Sequence, residues 1–144
     1  MDNDKTLILI GVDPGKMTGI SAYSTKTKSL IMCETDSIIG AMETVKDLLS
    51  DKNISIEIVY EDAKKRRWFG KSGREKLQGA GSIKRDCTIW EEFARYHRIP
   101  CTGIAPQKGC TKMNKDMFTR VTGWKGRTSV HARDAALLVI GSRK

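Results

Sequence analysis

At 144 residues the chain can bury one core and is too short for two full-sized domains, so one domain spanning residues 1–144 is expected. With 39% hydrophobic and 30% charged residues it is not a disordered chain, and no apolar run approaches the roughly 18 residues of a membrane span. A net charge of +9 points to a polyanionic partner, either nucleic acid or an anionic membrane surface.

Residues 7–12 form a near-continuous apolar run stopped by Asp13-Pro14-Gly15, the pattern of a strand covered on both faces and ended by turn residues. Residues 18–24 and 29–35 are strand-like and are separated by a short polar turn, so three antiparallel strands open the domain. The period then changes. Ile38, Met42, Val45 and Leu49 form one stripe of a helix over residues 37–51, behind a Ser or Asp cap. Residues 55–61 return to strand, with Ile56, Ile58 and Tyr60 on one face and Val59 and Glu61 on the other. A helix between two strands implies a right-handed crossover and a parallel pair. Ile83, Cys87, Trp90 and Ala94 mark a long helix that starts between residues 74 and 82 and stops before Pro100. A fifth strand over residues 100–105 and a C-terminal helix over residues 130–140 follow, with a fainter helical pattern over residues 111–121. The expected fold is α/β, a five-stranded mixed sheet with three antiparallel strands and then parallel crossovers, flanked by helices.

Charge is concentrated in two places. Residues 1–63 carry a net −5, whereas residues 64–76 hold seven basic and one acidic side chain and residues 108–127 hold six and one. A solubilising coat would be spread out. Clusters that interleave Lys and Arg with Gly and aromatics read as loops that grip phosphates and stack bases. The DNA-contacting candidates are Lys64, Lys65, Arg66, Arg67, Trp68, Phe69, Lys71, Arg74 and Lys76 in the first, and Lys108, Lys125 and Arg127 in the second. Neither forms the basic amphipathic helix that a membrane role needs. Cys33, Cys87, Cys101 and Cys110 stand singly, without the spacing of a zinc knuckle or redox pair, and read as thiols in a reducing compartment. The acidic start runs into a strand without a small-residue cleavage site, so no secretory signal is expected and a cytoplasmic location is.

Asp13 ends the first strand and Glu61 ends the fourth. If these are parallel neighbours, their ends lie about 4.8 Å apart and two carboxylates converge at one edge of the sheet. Two adjacent anions are costly without a cation between them, and the pair fits Mg2+ or Mn2+, which prefer oxygen ligands. Asp134 supplies a third carboxylate. It follows His131 by three residues, so the two share a helix face with Ala135 and Leu138. Singly, Asp13 could cap a turn, Glu61 could be an exposed strand end and His131 could bond backbone at a helix start. Together they form a pattern.

The turn Asp13-Pro14-Gly15-Lys16-Met17-Thr18-Gly19 is comparable to the phosphate-binding turn of actin-like ATPases and sugar kinases, but those need a second related domain. Over nearly its whole length the chain resembles RuvC-type Holliday-junction resolvases of the ribonuclease H-like superfamily. The resemblance rests on Gly11-Val12-Asp13-Pro14-Gly15 with Thr18-Gly19, Ile58-Val59-Tyr60-Glu61, Gly79-Ala80-Gly81, and His131-Ala132-Arg133-Asp134-Ala135-Ala136. It implies a ribonuclease H-like fold and a homodimeric crossover junction endodeoxyribonuclease that cuts two strands of a four-way DNA junction symmetrically, leaving 5′-phosphate and 3′-hydroxyl ends. It further implies two Mg2+ or Mn2+ ions per site on Asp13, Glu61, His131 and Asp134, where the position of His131 is Asp in some members. A wedge at the strand exchange would be Trp68 or Phe69, and a Lys near the scissile phosphate would be Lys112 or Lys115. The helix over residues 79–97 is the family's usual dimer surface. The compact size resembles the phage-encoded branch, acting in a bacterial cytosol. Two rivals stand beside this reading: a related nuclease acting on RNA or an RNA/DNA hybrid, and a non-catalytic branched-DNA binding protein.

Overall fold

The computed structural model describes residues 5–65, 73–106 and 113–141, residues 73–80 as backbone alone. Strands β1 (Thr6–Asp13), β2 (Met17–Ser24), β3 (Ser29–Ser37), β4 (Ile54–Glu61) and β5 (Cys101–Ile104) form one sheet in the order β3-β2-β1-β4-β5. The first three are antiparallel neighbours, and β1–β4 and β4–β5 are parallel. Helices α1 (Ile38–Leu49), α2 (Gly73–Tyr96), α3 (Lys115–Thr122) and α4 (Val130–Gly141) complete the described chain, with a single 3-10 turn over Ala63–Lys65 leaving β4. No helix of the described residues is long and apolar enough to cross a membrane.

The central strand is covered on both faces, as its unbroken apolar run requires. Ile8, Ile10 and Val12 of β1 pack with Ile56, Ile58 and Tyr60 of β4 against Ala41 and Val45 of α1 and Cys87, Trp90 and Ala94 of α2. On the opposite face, Leu9 and Val59 meet Val139 of α4. Leu30 and Cys33 of β3, Phe118 of α3 and Ala132 and Ala136 of α4 extend that layer. Trp90 and Phe118 are the two largest fully buried side chains. Each such burial contributes on the order of 2–3 kcal/mol from apolar area alone.

Boundaries shift where capping chemistry acts. Ser37 ends β3 and its side chain accepts from the Gly40 amide, so α1 begins at Ile38. Asn114 accepts from the Met117 amide, so α3 starts at Lys115, four residues later than the fainter sequence pattern suggests. Gly123, at φ 78°, ends it in the left-handed conformation that glycine adopts without strain. The α2 helix begins one residue before the expected window.

Candidate active site

The C-terminal ends of β1 and β4 carry the candidate carboxylates. Val12 is in register with Tyr60, and Asp13 and Glu61 are the next residue of each strand. Alternation turns both toward the α4 face, because Ile10, Val12, Ile58 and Tyr60 belong to the opposite layer.

Helix α4 lies on this face at unusually close range. A Cβ on Gly19 would stand 2.0 Å from the carbonyl oxygen of His131, and one on Gly11 would stand 2.1 Å from that of Ala135. Gly19 pairs with Asp13 in the β1–β2 ladder, so His131 lies at the level of Asp13. The two glycine contacts fit one another dimensionally. Four helical residues advance about 6 Å, and the two strand residues from Gly11 to Asp13 cover about 6.6 Å. Ala132, Ala135 and Ala136, all fully buried, keep the rest of the helix face low enough for this approach.

As a result, His131 Nδ1 lies 3.1 Å from Asp13 Oδ2. The Asp13 side chain is mostly buried (15% exposed), whereas the His131 ring is half exposed (54%), so the pair forms at the edge of solvent. Asp134 follows one helical turn later and is partly buried. Among the described residues, no three His, Cys, Asp or Glu side chains converge closely enough in this arrangement to hold a metal. Asp13 and His131 meet, Glu61 stands one strand away, and Asp134 stands one turn away.

The start of α4 is tied to its neighbours. Ser129 Oγ accepts from the Ala132 amide and bonds Thr35 Oγ1 of β3. Arg133 reaches outward, donating from Nε to Met113 O at 2.9 Å and from its terminal nitrogen to Thr128 Oγ1 at 2.7 Å. It therefore fastens both ends of the segment containing α3 to the helix that carries His131 and Asp134. Lys115 is exposed at the start of α3, and Lys125 and Arg127 are exposed beyond its end.

On the other face of β4 is a polar cluster that composition and periodicity do not reveal. Glu91 Oε2 accepts from both Tyr60 OH and Lys64 Nζ, and Asp62, itself buried, lies 3.4 Å from Tyr60 OH and 3.9 Å from Lys64 Nζ. Burial, the bond to Glu91 and the nearby Asp62 carboxylate all push the Tyr60 phenol upward. Burial works against the Glu91 charge, but Lys64 and Tyr60 outweigh it and hold the carboxyl below its ordinary value. One sequence signal was available. Glu91 follows Cys87 by four residues and precedes Ala94 by three, a charged residue at the margin of an apolar stripe, which calls for a partner.

Among the sequence-derived DNA contacts, Lys64 and Lys65 are both engaged with protein, Lys65 donating to Gly103 O at 2.8 Å. Arg66, Arg67, Trp68, Phe69, Lys71, Lys108 and Lys112 lie outside the described residues, and Arg74 and Lys76 are described only as backbone of α2. Cys33, Cys87 and Cys101 are free thiols, and Cys110 lies outside the described residues.

The sheet order, the flanking helices and the crossover between β1 and β4 define a RuvC-like, ribonuclease H-like fold. No protein-family model and no curated protein matches the chain by sequence. Among solved structures it is similar to T. thermophilus RuvC in complex with Holliday junction substrate, with a TM-score of 0.56 and 14% identity over 92% of this chain and 90% of that one.

Proposed function

We propose that the chain is a homodimeric, structure-selective DNA endonuclease, one nuclease domain that hydrolyses phosphodiesters at four-way junctions and leaves 5′-phosphate and 3′-hydroxyl ends. The observation that carries this reading is the contact of Asp13 with His131 at the end of the central strand, beside Glu61, in a RuvC-like fold. The similar T. thermophilus protein is described with a Holliday junction as its substrate, which favours branched DNA over an RNA/DNA hybrid.

The donor set suits a hard or borderline divalent ion. Asp13, Glu61 and Asp134 offer carboxylate oxygens and His131 a ring nitrogen, so these four would hold Mg2+ or Mn2+, two ions per site, with the nitrogen making Mn2+ more acceptable. Bound there, such ions would supply activation of water and stabilisation of the leaving 3′ oxygen of a phosphodiester. The protein's own part is positional. Asp13 is held by its strand and by His131, and α4 is fixed by the two glycine contacts. Lys115, on a segment that Arg133 fastens to α4, would meet the scissile phosphate, with Lys112 as the alternative. Lys125, Arg127 and the basic segment after Lys65 would bind flanking phosphates, and Trp68 or Phe69 would wedge at the strand exchange.

Asp13→Asn tests the reading on a labelled four-way junction with Mg2+ or Mn2+, beside an RNA/DNA hybrid. Cutting should be abolished while junction binding remains, since affinity comes from basic segments elsewhere. Robust cutting by Asp13→Asn would sink the site assignment. Preferential cutting of the hybrid by the unmodified protein would favour the related nuclease, and metal-independent binding with no nicking would favour a non-catalytic binder.

A further inference from the structure

The polar cluster behind β4 is next to the candidate site in sequence but on the opposite face of the sheet. Tyr60 and Asp62 flank Glu61, and Lys64 lies in the turn that leads into the first basic segment. We propose that Glu91 is a positioning residue that holds Tyr60 and Lys64 from α2, fixing the turn between Glu61 and the basic segment, and that Lys64 serves this clasp and not a DNA phosphate. This deepens the endonuclease reading and rests on it.

Three backbone amides of the turn are tied down. The Asp62 amide donates to Ile104 O at 2.8 Å, the Lys65 amide to Asp62 O at 3.0 Å, and the Lys64 amide to Asp62 Oδ1 at 3.0 Å. Cys87 Sγ, one turn before Glu91 on α2, is 3.5 Å from Glu61 O. Gly103 leaves the space that this packing needs, since a Cβ there would be 2.9 Å from Asp62 Cβ and 3.0 Å from Tyr60 Cζ. Glu91 is where these ties meet a helix. One carboxylate oxygen receives both the phenol and the ammonium, so β4, the turn and α2 are joined at a single atom. The Lys64 bond lies at the surface, but the Tyr60 bond to the same carboxylate is partly buried, and a hydrogen bond to a charged acceptor is stronger than one between neutral groups. Lys64 is also the first residue of the basic run, so anchoring it sets where the following cations begin.

The test uses Glu91→Gln and Lys64→Met in the full chain, with two readouts. In hydrogen exchange, the Lys64 and Lys65 amides should exchange faster in Glu91→Gln while the amides of β1 keep their protection. In single-turnover cleavage of a bound four-way junction, each variant should lose roughly tenfold in rate, as loss of a supporting partner behind a site residue commonly costs, and the double variant should lose no more. Lys64→Arg should restore most of the rate lost by Lys64→Met. The salt dependence of junction binding separates the two roles of Lys64. A lysine on a phosphate contributes about one to the slope of log affinity against log salt, so Lys64→Met should leave that slope unchanged. A fall of about one, or unaltered exchange in Glu91→Gln, overturns the proposal. If the unmodified protein cuts no branched DNA, the endonuclease reading fails, and the exchange experiment alone decides the role of Glu91.

Discussion

At the scale of single residues, Asp13 and Glu61 end their strands, and of the described thiols Cys33 and Cys87 are buried and Cys101 is partly so. Burial pushes Cys33 up to about 11, with Glu34 raising it and Arg133 opposing. Burial, then Glu91 and Asp62, push Cys101 up to about 11. Both thiols ordinarily titrate near 9.0, so above that pH the unfolded chain releases protons that the folded chain retains. Stability is therefore complete below about pH 9 and falls as pH rises toward 11. Denaturant midpoints at pH 8 and pH 10.5 should show the loss, and Cys33→Ala should reduce it; equal slopes for both proteins would dismiss the Cys33 contribution. At the acid end the sign reverses. Glu91, held below its ordinary value, contributes stability at neutral pH that disappears as pH falls through its folded value. The positions of Asp13, Glu61 and His131 were legible from the sequence because they stand at the ends of elements whose periodicity is clear. For Glu91 only its place at the edge of an apolar stripe was legible and not its partners, because Tyr60 and Lys64 are about thirty residues away and meet it only when α2 packs on β4.

At the scale of elements, the close seat of α4 on β1 and β2 controls the site. Gly19→Ala would drive a methyl into the His131 carbonyl, so α4 must lift or tilt. The expected cost is about 1–3 kcal/mol of stability from overpacking. Cleavage should fall further than junction binding, because the lift separates His131 from Asp13 and leaves the basic segments in place. Gly81 in α2 provides the control, since nothing lies within 4 Å of the position a Cβ would take. Gly81→Ala should be neutral or stabilising by up to about 1 kcal/mol in the same denaturant assay. If Gly19→Ala matched Gly81→Ala in stability and cutting, the glycine contacts would not be what sets the helix. Elements with a strong period, β1, α1, β4 and α4, were legible to within a residue or two. The α3 start was not, because Asn114 caps the helix and local capping overrides the weak periodicity before it.

At the scale of the whole molecule, the chain runs toward the first basic segment from β4 through the Ala63–Lys65 turn, and the described part of the second contains α3 and is fastened by Arg133 to α4. Under the proposed reading, cutting two strands of one junction calls for two such sites, so the chain should sediment as a dimer at micromolar concentration; a monomer would contradict that proposal. The α2 helix, the expected dimer surface, exposes Ile83 and Tyr96, and substitution of both with Ser should shift the equilibrium toward monomer. The sequence by itself determined the order of strands and helices, the crossover that makes β1 and β4 parallel, and the ends at which Asp13, Glu61 and His131 stand. Those follow from periodicity, turn residues and chain connectivity, which are local. Only the tertiary structure decided that His131 touches Asp13, that Gly11 and Gly19 exist to admit a helix backbone, and that Lys64 is bound to Glu91. These depend on the distance between packed layers, and that distance is set by which side chains are small enough to let two backbones approach.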